Sequence, residues 1–403
     1  MASGLNFLLA SRRCEIGELE ELAKTSDLVR VLARFTHEMQ RERGASNVYL
    51  GSQGGRFAAQ RLEQVAQCER AEREARESFD RMDTDAVQVR NGARLFSRIA
   101  VVLHAMDGLP ALRQRIASQQ MSPGEATGAF VSLIAGLLAV VFEAADSATD
   151  PEVSRALVAM FNFMQGKEFA GQERAFGSLV FASGGTDAAG QQHWRHLIDS
   201  QQGCLQVFIE FSAPQAVLAN LSSQDPHVMA ELERLRRVGC APGRLDPELA
   251  QAWFDCCTIR IDDMRIVEEQ LAANLRRLCG QRIEQARSEL RDQQAILETL
   301  AREASQAEPA HYGPHLERSV VGMVQDQTRR LQAMSDELDT VRATLNERKV
   351  IERAKGLLMA HRHLTEEEAY KTLRQTAMNQ NKRVIDVAEA VLAMADVLPA
   401  RAR

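Results

Sequence analysis

Two Glu-Arg dipeptides in the N-terminal part of the chain lie in segments that resemble each other. Residues 42–54 align without gaps on residues 173–185, at an offset of 131 positions. Each segment has Glu-Arg, then mostly small residues, an apolar stretch and a Ser/Gly end that is typical of a helix terminus. Over so short a stretch, chance similarity is the alternative explanation. If the repeat is real, this region contains two related helical bundles, each presenting one arginine from the middle of a long helix.

The arginines of these dipeptides, Arg43 and Arg174, lie among small and apolar residues. Burying a guanidinium in such surroundings costs free energy unless an anion accompanies it. The guanidinium is a planar fork of donors that matches a planar oxyanion such as carboxylate or nitrate, so two of them facing each other would form an anion site. Alternatively, each arginine pairs with an internal carboxylate. Glu42 and Glu173 are nearest in sequence, but adjacent residues of a helix do not face each other.

Residues 42–46 (Glu-Arg-Gly-Ala-Ser) and 171–175 (Gly-Gln-Glu-Arg-Ala) resemble the paired signatures of the NIT domain, a helical nitrate- and nitrite-sensing domain. The resemblance covers roughly residues 20–240. It implies nitrate or nitrite as the effector, with Arg43 and Arg174 as its ligands. Residues 196–233 contain no Lys or Arg, and basic residues then return together at 234, 236 and 237. Among these, Arg236 is predicted as a third ligand.

The end of the chain carries four short motifs. They are Ala-Lys-Gly-Leu-Leu-Met at 354–359, Thr-Glu-Glu-Glu-Ala-Tyr at 365–370, Leu-Arg-Gln-Thr-Ala-Met at 373–378 and Val-Ile-Asp-Val-Ala at 384–388. Together they resemble the ANTAR domain, an RNA-binding transcription antitermination module, over about the last 60 residues. Thr365 and Glu368 form a capping-box pattern that opens the second of three short helices. The predicted small core comprises Leu358, Leu373, Ala377, Val387 and Val391.

RNA contacts are expected from basic residues that can neutralise phosphates and from two side chains that can pack on an unstacked base. The predicted RNA-binding residues are Arg353, Lys355, Arg362, Tyr370, Arg374, Met378, Lys382 and Arg383. A solvated charged face is the alternative for each, and it is favoured for the basic residue Lys371. The ANTAR resemblance implies that the ligand is a hairpin in leader RNA.

The elements that position these residues are predicted to be almost entirely α-helical. Helix formers dominate, whereas Tyr (3) and Trp (2) are scarce. Proline and glycine mark helix boundaries, and residues 248–307 lack proline, which favours one long helix that begins after Asp246-Pro247. The predicted breaks lie at 51–55, 108–110, 122–124, 150–151, 184–185, 213–214, 225–226 and 241–243.

Heptad spacing follows in the next segment, at positions 320, 324, 327, 331, 334, 338, 341 and 345, with Gln327 as the one polar member. It predicts a short coiled coil with a partner helix, and the alternative is one amphipathic helix packed on its own body. A weaker heptad run from Ile283 to Leu300 allows an antiparallel hairpin around 309–314. The predicted organisation is therefore a helical-bundle sensor domain (1–245), long coiled-coil-like linker helices (246–341) and a small three-helix C-terminal RNA-binding module (342–403).

Composition and motifs narrow the function class. Seven cysteines without C-x-x-C spacing favour reduced thiols in a cytoplasmic protein. Neither the N-terminus nor residues 133–145 offer an apolar stretch long enough for a signal peptide or a membrane span. Residues 342–403 carry a net charge of +4 and the preceding residues −10, so a polyanion that binds this protein should contact the C-terminal region.

No catalytic, metal-binding or cofactor motif is recognised in the sequence, which favours a regulator over an enzyme. Together the two resemblances imply a nitrate- or nitrite-responsive transcription antitermination regulator, expected to be homodimeric and free of membrane. The alternative function is an anion-sensing helical protein that signals to a protein partner.

Overall fold

The computed structural model describes residues 4–82, 92–241, 243–306, 313–362, 364 and 366–395. Every regular element among them is a helix, which confirms the all-α prediction. The helices of the sensor region are α1 Gly4–Gly51, α2 Ala58–Asp80, α3 Gly92–Asp107, α4 Leu109–Ala117, α5 Pro123–Ser147, α6 Pro151–Ala182, α7 Ala188–Phe211, α8 Pro214–Ser223, α9 Pro226–Gly239 and α10 Leu249–Gln306. They are followed by α11 Gly313–Arg362, α12 Glu366–Gln380 and α13 Val384–Ala395.

Proline and glycine set the helix boundaries, as predicted. Prolines occupy the first residue of α5, α6, α8 and α9, where a missing N–H costs nothing. Ser122 and Glu125 form a capping box at the start of α5, and the Asp150 carboxylate accepts the Val153 N–H at the start of α6. The predicted long helix is unbroken over the 58 residues of α10, and the Asp246 carboxylate accepts the Glu248 N–H just before it.

The sensor region is built from two bundles of similar plan. In the first, α1 packs on α2 and α5, and in the second, α6 packs on α7 and α10. The offset of 131 carries the last residue of α1 to the last residue of α6, and the last residue of α2 to the last residue of α7. Because the offset also relates the ends of α2 and α7, which lie beyond the aligned segment, it supports a true repeat over chance similarity. The bundles meet where α1 packs on α10 and α6 and where α5 packs on α6.

An aromatic cluster holds the second bundle together. The rings of Trp194 and Trp253 are buried with their centroids 5.0 Å apart. Two helical glycines allow this approach, since an added Cβ would lie 2.2 Å from the Trp194 ring at Gly239 and 2.4 Å from the Trp253 ring at Gly177. The Trp253 Nε1–H donates to the carbonyl of Arg174, at 3.0 Å. Packing in this cluster therefore fixes the part of α6 that carries one of the predicted ligand arginines.

Two helical stretches of the described residues, Gly92–Ala117 and Pro123–Ser147, are long and apolar enough to cross a membrane. The first is interrupted at Gly108, between α3 and α4. The second is α5, which packs on α1, α3 and α6 as a core helix does. Residues 133–145, predicted to be too short for a span, belong to this 25-residue helix.

The heptad pattern of α10 packs on α1. Ile283, Ala286 and Leu290 contact Ile16 and Leu19 of α1 in one apolar cluster. The same pattern allows a hairpin around 309–314, but residues 307–312 lie outside the described ones, as do the side chains of Leu297 and Leu300. The described part of the weaker heptad run therefore packs against α1 within the sensor region.

The heptad face of α11 is mixed. Gln327, Leu338, Val341 and Leu345 are buried, whereas Val324 and Leu331 are more than 40% exposed. The Val320 side chain lies outside the described residues. A partner helix for the exposed positions stays a prediction.

The chain divides into two compact units, residues 1–334 and 335–403. In the second unit, the first helix of the predicted small module is the end of the 50-residue α11. All five predicted core residues of this module lie in its apolar cluster, together with Ala354 and Ala388. Thr365, the start of the predicted capping box, lies outside the described residues. The predicted domain limits at 245 and 341 stay predictions.

Candidate anion site and nucleic-acid interface

Arg43 on α1 and Arg174 on α6 cross each other at the junction of the two bundles. Each guanidinium lies against a glycine near the other arginine. A Cβ added at Gly171 would lie 2.6 Å from Nη2 of Arg43, and one added at Gly44 would lie 2.9 Å from Nη2 of Arg174. The small residues beside each arginine thus provide the space for the opposite guanidinium. The structure brings together the two side chains that the repeat predicted.

The guanidinium of Arg43 is buried and paired. Its Nη1 and Nη2 donate to the two carboxylate oxygens of Glu168 on α6, at 2.5 and 3.2 Å. Gln40 and Gln172 each donate a side-chain N–H to the same carboxylate, at 2.9 and 2.8 Å. Arg43 thus pairs with an internal carboxylate, which is the alternative to an anion predicted from the sequence. That carboxylate belongs to Glu168 of the other bundle and not to Glu42.

Arg174 has different surroundings. Its Nη1 donates to the Thr258 hydroxyl at 3.1 Å, and its guanidinium carbon lies 5.1 Å from the centroid of the Phe254 ring. Within the described part of the chain, no carboxylate forms an ion pair with it. Burial, reinforced by the charge of Arg43, lowers the pKa of Arg174 to about 10. It therefore stays charged at neutral pH, and an added anion would compensate its charge.

The glutamates of the two dipeptides are each held by another arginine. Arg113 of α4 donates through Nε and Nη2 to the two oxygens of Glu42, both at 2.9 Å. Arg236 of α9 donates through the same two nitrogens to Glu173, at 2.7 and 2.6 Å. All four side chains are buried. The two bundles thus contain the same forked ion pair at corresponding places.

These forked pairs are electrostatically strong. Burial alone would lower the pKa of Arg236, but the pair with Glu173 more than offsets it and raises that pKa. Gln201 also donates to Glu173 and accepts from Arg260 of α10 at 2.7 Å. Arg236 thus lies in a network of its own, in which its donors contact Glu173, Glu233 and Gln201. Its prediction as a ligand stays untested.

Next to the crossing lie a neutral histidine and a buried ion pair. Burial, with the nearby charges of Lys167 and Arg265, lowers the pKa of His37 far below its ordinary value of 6.5. Its Nε2 lies 3.3 Å from Nη1 of Arg265. The ammonium of Lys167 contacts the carboxylate of Glu268, and both side chains are buried. These neighbours add no net charge to the crossing.

In the second unit, the predicted RNA-binding side chains divide by exposure. Most of them are exposed, namely Arg353, Arg362, Arg374, Met378, Lys382 and Arg383. Lys355 is buried, with its amine 2.8 Å from Glu352 and 6.0 Å from the centroid of the Tyr370 ring. Arg383 also pairs with Asp386. Lys355 and Tyr370 therefore contact each other within the module, while the exposed residues can reach a phosphate backbone.

Comparisons with known proteins match the N-terminal and C-terminal parts of the chain to two different families. Residues 34–276 match the NIT family, described as nitrate and nitrite sensing, and residues 339–392 match the ANTAR domain. The nitrate regulatory protein of Klebsiella oxytoca is 34% identical over 397 residues, which cover 96% of this chain and 94% of that protein. The chain belongs to the NIT family of nitrate- and nitrite-sensing regulators.

Two further regulatory proteins are similar to this NIT regulator, one over nearly the whole chain and one over a short segment. The solved structure of the NasR transcription antiterminator matches 98% of this chain and 99% of its own, with a TM-score of 0.61 and 31% identity. The transcriptional regulatory protein PdtaR of Mycobacterium tuberculosis is 39% identical over 64 residues, 16% of this chain and 31% of that protein. Because these families are sensory and regulatory, the chain is a nitrate-responsive antitermination regulator and not an enzyme.

Sequence reasoning missed the residues that surround the two arginines in this NIT regulator. Glu168 lies 125 positions from Arg43, and Thr258 lies 84 positions from Arg174. Arg113, which pairs with the neighbouring Glu42, comes from the short helix α4. A signal existed for Glu168, since adjacent Lys and Glu at 167–168 interrupt a largely apolar and small stretch of α6. Charges in such a stretch require buried partners.

Proposed function

We propose that nitrate or nitrite binds at the crossing of α1 and α6, between Arg43 and Arg174. The observation that carries this proposal is the partly buried guanidinium of Arg174, which has no carboxylate partner among the described residues although Arg43 lies nearby. Two like charges in low dielectric repel, and a planar oxyanion between them relieves the repulsion while accepting from the fork of Arg174, which Glu168 leaves open.

We infer a supporting role for Arg236. The forked pair that it forms with Glu173 reproduces the pair between Arg113 and Glu42. It therefore anchors α9 on α6, and the anion contacts fall to the two facing arginines. No cofactor is required for this binding.

We propose that the ANTAR unit binds hairpins in leader RNA through its exposed basic residues, and that nitrate binding in the sensor raises the RNA affinity. Linkage requires the reciprocal effect, so RNA should also raise the affinity for nitrate. The opposite net charges of sensor and RNA-binding regions favour release of an inhibited state over active positioning of RNA-binding modules. A cytoplasmic homodimer, acting without a membrane, is the proposed working form.

The test is RNA binding by the full chain. A fluorescent leader-RNA hairpin is titrated with protein, with and without nitrate, in the wild type, Arg374→Ala and Lys371→Ala. Nitrate should strengthen wild-type binding, and Arg374→Ala should weaken it several-fold and reduce the salt dependence by about one ion, as expected for a lost phosphate contact. Lys371→Ala is the matched control on α12 and should bind as the wild type does.

If nitrate leaves RNA binding unchanged while it binds the sensor, the protein signals to a protein partner instead. A fragment of residues 320–403 that binds RNA without nitrate supports release of inhibition. A folded fragment of the same oligomeric state that fails to bind would favour active positioning.

A further inference from the structure

Glu168 is the acidic side chain in direct contact with the proposed anion site. Its carboxylate, 2% exposed, accepts from both terminal nitrogens of Arg43 and from the side chains of Gln40 and Gln172. A carboxylate is itself a planar oxyanion, so Glu168 occupies one fork of the site. The fork of Arg174 remains for an added ligand.

The charge of the crossing follows from the groups that face it. Arg43 and Arg174 contribute two positive charges and Glu168 one negative charge. His37 is neutral, the charges of Lys167 and Glu268 cancel, and Arg265 beside His37 is paired with Glu269. Asp262, the other carboxylate that acts on Arg174, is exposed on α10, where solvent screens its charge. The site therefore holds a formal charge of +1.

We propose that Glu168 is a specificity-determining residue that limits this site to a single monovalent anion by setting its charge to +1. A buried ion is stable only when opposite charge compensates its lost hydration, and a divalent anion loses far more hydration than a monovalent one. A site of charge +1 compensates nitrate or nitrite fully and leaves sulfate undercompensated. Without Glu168 the charge is +2, which suits a divalent oxyanion. This inference rests on the proposed nitrate site.

Two probes separate charge from shape. Sulfate and perchlorate are both tetrahedral and of similar size, but they carry two charges and one charge. Calorimetric titrations of the full chain with nitrate, sulfate and perchlorate are compared for the wild type, Glu168→Gln and Glu173→Gln. The last is a matched control, because Glu173 is also buried on α6 and also accepts a forked arginine.

Glu168→Gln should raise the ratio of sulfate to perchlorate affinity at least tenfold, whereas Glu173→Gln should keep the wild-type ratio. A ratio within twofold of the wild type in folded Glu168→Gln, or an equal change in Glu173→Gln, would overturn the proposal. If the wild type binds no nitrate, the proposed function itself fails, which is a separate outcome.

A second variant covers the case in which Glu168→Gln does not fold. Gln172→Glu adds a carboxylate at a partly exposed position in contact with Glu168 and, at a pH high enough to ionise both carboxylates, brings the formal charge of the site to zero. Nitrate affinity should fall at least tenfold in this variant. Unchanged nitrate affinity in folded Gln172→Glu would contradict the charge-setting role.

Discussion

The two Glu-Arg dipeptides occupy corresponding places in the two bundles, and their glutamates share a contact that their arginines do not. Glu42 and Glu173 each accept a forked arginine with the same pair of nitrogens. The arginines differ, since Arg43 pairs with a carboxylate and Arg174 pairs with none in the described part of the chain. The shared contact holds each bundle together. An anionic ligand is stabilised most at Arg174, because no carboxylate already compensates that charge.

Removing either anchoring arginine should have the largest effect on stability. Arg113→Ala and Arg236→Ala each leave a buried glutamate unpaired, which costs about 3–5 kcal/mol. Both losses should be large, and the loss for Arg236→Ala should be the smaller one, because Glu173 still accepts from Trp194 and Gln201. Chemical denaturation monitored by circular dichroism measures both. A large loss for one variant and none for the other would break the correspondence between the bundles.

The pH dependence of stability tests the neutral state of His37, on which the charge of the crossing depends. Its pKa is lowered in the folded protein, so below about pH 6.5 the unfolded chain binds a proton that the folded chain does not. The free energy of unfolding should therefore fall by about 1.4 kcal/mol for each pH unit below this value. His37→Asn should remove this part of the slope. An unchanged slope in His37→Asn would show that His37 becomes protonated in the fold.

The two glycines at the crossing give a smaller contrast. An added methyl group at position 171 meets Arg43, which Glu168 holds in place, whereas one at position 44 meets Arg174. Both substitutions gain similar helix propensity, so Gly171→Ala should be less stable than Gly44→Ala by about 1 kcal/mol of overpacking. Thermal unfolding of the two variants checks the order. Equal stabilities would mean that the two arginines are equally free to move.

Much of the fold is predictable from the sequence because local chemistry determines it. The prolines that begin α5, α6, α8 and α9 mark their own positions, and the repeated segment is enough to single out Arg43 and Arg174. The pairing of charges is not predictable in this way, because it depends on which helices meet. Arg43 pairs with Glu168, which lies 125 positions away in the sequence. For the same reason, the exposure of Lys355 cannot be deduced from its motif.

Arg174 has no carboxylate partner in the described part of the chain and keeps its charge for an anion, whereas Arg43 is already paired with Glu168. Unfolding midpoints of the wild type, Arg174→Ala and Arg43→Ala, with and without nitrate, test it most directly. Nitrate at about 100 times its dissociation constant should stabilise the wild type by about 2.7 kcal/mol and neither variant. Without nitrate, Arg174→Ala should be at least as stable as the wild type, and Arg43→Ala should lose about 3 kcal/mol because Glu168 is left unpaired. Equal stabilisation of Arg174→Ala and the wild type by nitrate would contradict the claim.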